Sequence, residues 1–114
     1  MDMSGTSGNK TLLVYKDKNG KEPFTDWLNG LKDAKVRRRI LMRLRRLQQG
    51  NSGDSKHIRD RLYELRLFFG PGYRVYFGKD GDTVIVLLAG GDKSSQDKDI
   101  LVALRYWQHY RNND

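Results

Sequence analysis

Cysteine is absent from the 114 residues, which excludes disulfides and thiolate-held metals outright. No apolar run approaches the length of a membrane span. The two histidines, His57 and His109, stand far apart with no HExxH arrangement, so no metal-site pattern can be read. Spacing supports no Ser-His-Asp constellation. The GGDKSS segment lacks the earlier glycine of a phosphate-binding loop and inserts Asp92 before its lysine. Acidic residues are missing altogether between Ala34 and Gly53. Residues 1–10 lack the apolar segment of a signal peptide and read as a flexible tail ahead of one domain over 11–114. The cytoplasm is the expected compartment, with no membrane partner and no cofactor.

Positive charge is what the chain has in excess. A net charge of +8, with 32% of residues charged, draws it toward polyanions or an acidic protein in a salt-dependent way. A hydrophobic content of 37% suits one compact core under a strongly polar surface.

Taken in order, TLLVYK (11–16) has strand composition, and the Asn-Gly pair in DKNGK marks a turn. Pro23 suits the first turn of a helix on which Phe24, Trp27, Leu28 and Leu31 form an apolar stripe. A second helix, about 34–49, gathers Val36, Ile40, Leu44 and Leu47 on one arc. Arg38, Arg39, Arg45 and Arg46 lie largely opposite, with Arg37 and Arg43 on the flanks. Six arginines within ten positions, with no acid at i, i+4, exceed what a merely solvated face needs. Arginine favours bidentate contact with phosphate or carboxylate, so nucleic acid and an acidic protein are both candidate partners for this helix. A polar loop (49–55) then delivers Lys56, His57, Arg59 and Arg61 to the next strand.

Two strands follow around Gly70-Pro71-Gly72. Tyr63, Leu65, Leu67 and Phe69 alternate on one, and Tyr73, Val75 and Phe77 on the next. A three-residue loop would set Phe69 opposite Tyr73 and Leu67 opposite Val75, keeping the apolar sets together. The same register sets Phe68 opposite Arg74 and Arg66 opposite Tyr76, so two arginines and a tyrosine share the other face. Asp-Gly in KDGD marks a further hairpin, and the continuously apolar TVIVLLA suits a central strand covered on both sides. Ser94 with Asp97 matches a capping box for a last helix whose stripe is Ile100, Ala103, Leu104 and Trp107. The predicted order is β-α-α-β-β-β-α, an α+β domain with a mostly antiparallel four-stranded sheet and helices packed on one face.

The segments EPFTDWL, LRRLQQGNSGDSK, YELR, GPGYRVYF and LLAGGDKSSQDKDI, spread from Val14 to Trp107, resemble the addiction-module killer group of the RelE/ParE toxin superfamily, close to the HigB-type toxins. The resemblance implies a microbial-ribonuclease-like (RelE-like) fold and a type II toxin neutralised by a cognate antitoxin. Operator DNA would be met only through the antitoxin complex. RelE- and HigB-type members cleave messenger RNA in the ribosomal A site without a metal, which makes messenger RNA and ribosomal RNA the implied partners. ParE-type members instead poison DNA gyrase, so a non-enzymatic gyrase inhibitor stays open, as does a passive nucleic-acid-binding module.

Metal-free RNA cleavage must deprotonate a 2′-hydroxyl, neutralise the phosphorane, protonate the leaving oxygen and hold a base. Arg66 and Arg74 match positions of the family's charge-stabilising arginines; the alternative is a structural pair with Glu64 or Asp82. Lys56, His57 and Lys93 match its proton-transfer candidates. Arg38, Arg39, Arg45, Arg46, Arg59 and Tyr76 are the candidate RNA-binding residues, Tyr76 by stacking on a base or orienting a phosphate. Gln96 and Asp99 fall where some relatives carry a late catalytic tyrosine, histidine or aspartate, and no tyrosine or histidine occurs in that loop.

Overall fold

Period-two alternation and apolar runs set the strands, and glycines set where they can be covered. A computed structural model of the protein describes residues 9–112. It comprises β1 (Thr11–Val14), α1 (Pro23–Gly30), α2 (Ala34–Gln48), β2 (Ser55–Arg59), β3 (Leu62–Leu67), β4 (Tyr73–Asp80), β5 (Val84–Asp92), a 3-10 turn (Lys93–Ser95) and α3 (Gln96–Asn112). The sheet has five strands in the order β1-β5-β4-β3-β2, with β1 parallel to β5 and the other pairs antiparallel. The α+β class holds. The expected four-stranded sheet does not, because the segment read as a basic loop forms the edge strand β2.

An edge strand facing water needs little apolar alternation, and in SKHIR only Ile58 is apolar, half-buried against the core. Its hairpin carries no Asn-Gly signal either. Asp60 (φ 52°) and Arg61 (φ 67°) both adopt the left-handed conformation that a two-residue turn of this hand requires. Non-glycine residues there are disfavoured by roughly 1 kcal/mol or more each, so the turn has to be held. Arg61 donates from Nε to the Lys79 carbonyl (2.9 Å) and from Nη2 to the Gly81 carbonyl (2.6 Å). The Asp60 carbonyl accepts from Trp107 Nε1 (2.6 Å) and Arg111 Nη1 (3.0 Å).

Helices cover both faces rather than one. Phe24 and Leu28 of α1 and Ile40, Leu44 and Leu47 of α2 pack on Leu65, Leu67, Val75, Phe77, Ile85 and Leu87. Across the sheet, Ala103 and Trp107 of α3 pack on Leu62, Tyr76, Val86 and Leu88. β5 is buried on both sides, as its unbroken apolar run requires. Two glycines admit the indoles: a Cβ at Gly78 would lie 2.4 Å from Trp107, and one at Gly90 would lie 2.1 Å from Trp27.

The β3–β4 register differs by two from expectation. Leu67 faces Tyr73, Arg66 faces Arg74, Leu65 faces Val75 and Glu64 faces Tyr76. The turn closes through Gly72 N–H to the Phe69 carbonyl (3.1 Å), while Phe69 folds back onto Tyr73 (5.4 Å between rings), which leaves Phe68 outside the ladder. A slip of two preserves the faces. The expected Ser94 cap is also replaced: Asp92 caps the 3-10 turn, accepting from the Ser94 N–H at 2.8 Å. A flexible tail at 1–10 falls mostly outside the described residues, and its last member, Lys10, is tied to the Gln48 and Asp82 carbonyls (both 2.7 Å). No helix among the described residues is long and apolar enough to cross a membrane.

Candidate functional site

Alternation along β3 turns Leu62, Glu64 and Arg66 to the α3 face, and Glu64 is fully buried there. A buried carboxylate needs compensation for lost hydration, and three elements supply it. Arg66 Nε donates to Glu64 Oε1 at 3.1 Å, and Gln96 Nε2, from the first turn of α3, donates to Oε2 at 2.7 Å. Arg74, directly opposite Arg66 on β4, holds its Nε 4.0 Å from Oε2, an ion pair too long to be a hydrogen bond. Like charges directly opposite each other in a sheet repel, so Glu64 is what allows the two arginines to be neighbours. The Arg66 side chain is 29% exposed and that of Arg74 is 9%. The Arg74 Nε is buried without a hydrogen-bond partner.

The two guanidinium groups therefore share one face, as the alternation requires, but neither is free. Both lean on Glu64, and the alternative pairing with Asp82 is not formed, that residue being exposed in the β4–β5 turn. Asp99 closes the cluster against Gly91, the cross-strand neighbour of Arg74; a Cβ at Gly91 would lie 1.9 Å from its Oδ2. Asp99 accepts a hydrogen bond from the Ser95 hydroxyl.

Tyr76 requires a correction. It lies fully buried beneath this cluster and cannot stack on a base. Burial, and then the Glu64 and Asp99 carboxylates, push its hydroxyl well above the ordinary phenol range.

The proton-transfer candidates separate. Lys56 pairs with Glu64 across β2 and β3, so it shares the face and is exposed. Lys93 follows β5 at the same end of the sheet, its Cβ 3.4 Å from where a Cβ on Gly72 would lie. His57 is not brought to the cluster. It pairs with Tyr63, whose ring lies 5.1 Å away and packs against Phe77 on the opposite face. Arg59 lies at the far end of β2 and pairs with Asp60 at 3.4 Å.

Beyond the end of β2, Arg66 also borders a groove of about 290 Å³ between α2 and the β3–β4 hairpin. Arg39, Arg43 and Arg46 line it from the helix, and Phe68 and Phe69 from the hairpin. Arg38 and Arg45 are exposed on α2 but do not line it. Arg43 was expected only on the helix flank. Its Nη2 donates to the Ser52 carbonyl (2.9 Å), and burial, then Arg46, lower its pKa. Of the two structural pairings the sequence offered for the arginines, the one with Glu64 is formed.

A second basic cavity, about 310 Å³, contains Lys10, Arg61 and Lys79 at the other end of the sheet, but there Arg61 is committed to backbone carbonyls. No group of three or more histidine or carboxylate side chains among the described residues converges as a metal site.

Residues 26–106 match the family model described as Phage derived protein Gp49-like (DUF891), a span that takes in Lys56, Glu64, Arg66, Arg74, Lys93 and Gln96. An uncharacterized protein of Haemophilus influenzae is 48% identical over 77 residues, covering 68% of this chain and 78% of that protein. With the buried Glu64 and its arginines inside the matched span, the chain belongs to the Gp49-like family of phage-derived proteins.

Proposed function

We propose that this chain is the toxin of a type II toxin–antitoxin pair and acts in the cytoplasm as a ribosome-dependent messenger-RNA endonuclease, close to the HigB type. Its family is of the RelE/Gp49 toxin type, which supports a toxin of such a pair. The observation that carries the nuclease reading is the direct opposition of Arg66 and Arg74 across one buried carboxylate. Against the carboxylates of Glu64 and Asp99 stand Arg66, Arg74 and Lys56, so the face keeps a net positive charge, and Arg66, the more exposed guanidinium, is the one a phosphate oxygen reaches first.

The chemistry follows from that charge. The substrate 2′-oxygen attacks the adjacent phosphorus while its proton passes to a neutral lysine amine. The phosphorus–O5′ bond then breaks, and an ammonium returns a proton to the leaving oxygen, giving a 2′,3′-cyclic phosphate and a 5′-hydroxyl. Arg66 and Arg74 hold the phosphorane oxygens, each contact being worth on the order of 3 kcal/mol in the transition state. Lys56 and Lys93 are the side chains for the two proton transfers. Glu64 keeps the arginines together and does not itself move a proton. Arg38 and Arg45, exposed on α2, lie on ribosomal RNA, and an acidic antitoxin segment covers the basic surface of the helix.

The test is to map message ends on ribosomes after brief induction. Cuts within codons that vanish in Arg66→Ala and Arg74→Ala support the reading. DNA damage with intact message would overturn it in favour of gyrase inhibition.

A further inference from the structure

Phe68 is 74% exposed, more than any other large apolar side chain among the described residues whose exposure marks it as solvent-facing. Its neighbours are not exposed in this way. Leu67 is buried, and Phe69 folds onto Tyr73 and carries the Arg39 guanidinium 3.8 Å above its ring. A three-residue hairpin loop would have kept Phe68 in the ladder opposite Arg74; the longer loop puts it out, next to Arg66. It borders the α2 groove, where Arg39, Arg43, Arg46 and Arg66 stand against a single acid, Asp54.

We infer that this groove takes a single-stranded RNA segment, with one base stacked on the Phe68 ring and its flanking phosphates on Arg39 and Arg46. The inference deepens the endonuclease reading and rests on it: Arg66 belongs to both groove and cluster, so a strand lying here continues to the reacting phosphate. An aromatic ring set among cations repeats the alternation of base and phosphate along a single strand. An apolar partner helix would instead need a continuous apolar stripe, whereas four arginines line this groove beside Met42, Leu67, Phe68 and Phe69. Stacking is indifferent to base identity, so Phe68 supplies grip rather than sequence preference.

The experiment measures binding of a fluorescent 2′-O-methyl hexaribonucleotide, which cannot be cleaved, by anisotropy with the full chain. Phe68→Ala and Phe68→Leu are expected to weaken binding about tenfold, and Phe68→Trp to retain it. An abasic hexamer should bind weakly and equally to all of them. Arg46→Ala should weaken both oligomers and lower the salt dependence by about one ion. Unchanged affinity in Phe68→Ala, full affinity in Phe68→Leu, or tighter Phe68-dependent binding of an acidic peptide would each overturn the stack. Message cleavage by the unaltered chain tests the endonuclease reading separately. Parent-like binding and cutting by Phe68→Ala would remove the stack and leave that reading standing, whereas Phe68-dependent binding without any message cleavage would do the reverse.

Discussion

Gln96 donates a 2.7 Å hydrogen bond to Glu64 Oε2 and so joins the first turn of the last helix to the third strand. With Arg66 on the other carboxylate oxygen, both oxygens of a fully buried acid are held from two separate elements. That arrangement fixes where the positive charge of β3 and β4 stands.

Glu64→Gln should therefore destabilise strongly. It leaves Arg66 and Arg74 facing one another without the carboxylate that both lean on, and breaking a buried pair costs roughly 3 kcal/mol. Urea denaturation measures it. A loss below about 0.5 kcal/mol would mean that the arginines do not depend on the carboxylate. Inorganic phosphate should restore part of the loss by binding between them.

Arg66→Ala and Arg74→Ala should each lower single-turnover message cleavage on ribosomes by about a hundredfold or more, with a folded far-ultraviolet spectrum retained by Arg66→Ala. Arg66 is the cleaner probe, because its side chain is 29% exposed and less of the packing depends on it. Cleavage that persists within threefold in both variants would disprove their role.

Lys56 and His57 are adjacent in sequence yet point to opposite faces. Lys56→Ala should slow cleavage at least about tenfold, within the range of lost general acid–base catalysis, while His57→Ala leaves it within about twofold. The reverse result would place the reacting phosphate on the other side of the sheet.

Gly78→Ala and Gly90→Ala should each cost about 2 kcal/mol, since the added methyl meets an indole rather than a movable chain end. Melting temperatures of the two variants give the measurement. Unchanged values would mean that Trp107 and Trp27 can retreat from the sheet.

Alkaline titration offers a further check. An unfolded tyrosine ionises near pH 10, whereas folded Tyr76 holds its proton to higher pH. Above about pH 10 the unfolded chain thus binds fewer protons, so stability intact below that pH falls as pH rises. Tyr76→Phe should flatten the decline in urea midpoints above about pH 10. An identical slope in the variant would rule Tyr76 out as its source.

Much of this fold was legible because burial writes itself into alternation. The shared face of Arg66 and Arg74 follows from period two, and the two-sided burial of β5 from its unbroken apolar run. What alternation could not carry was β2, whose SKHIR faces water on most of its length, and its Asp60–Arg61 turn, held by distant side chains instead of by glycine. The slip of two at Gly70–Gly72 escaped because both registers satisfy the same faces. Tyr76 was misread as a surface ring because polarity suggests exposure, whereas α3 covers that part of the sheet. Glu64 was visible as a partner for the arginines, but its depth came only with the arrival of Gln96 from far along the chain.

The Asp60 carbonyl receives both Trp107 and Arg111, so the end of α3 latches the tight corner from which β2 departs. Lys56 rides on that edge strand. Whatever lifts the final turns of the helix releases the corner and, with it, the lysine's alignment on Glu64.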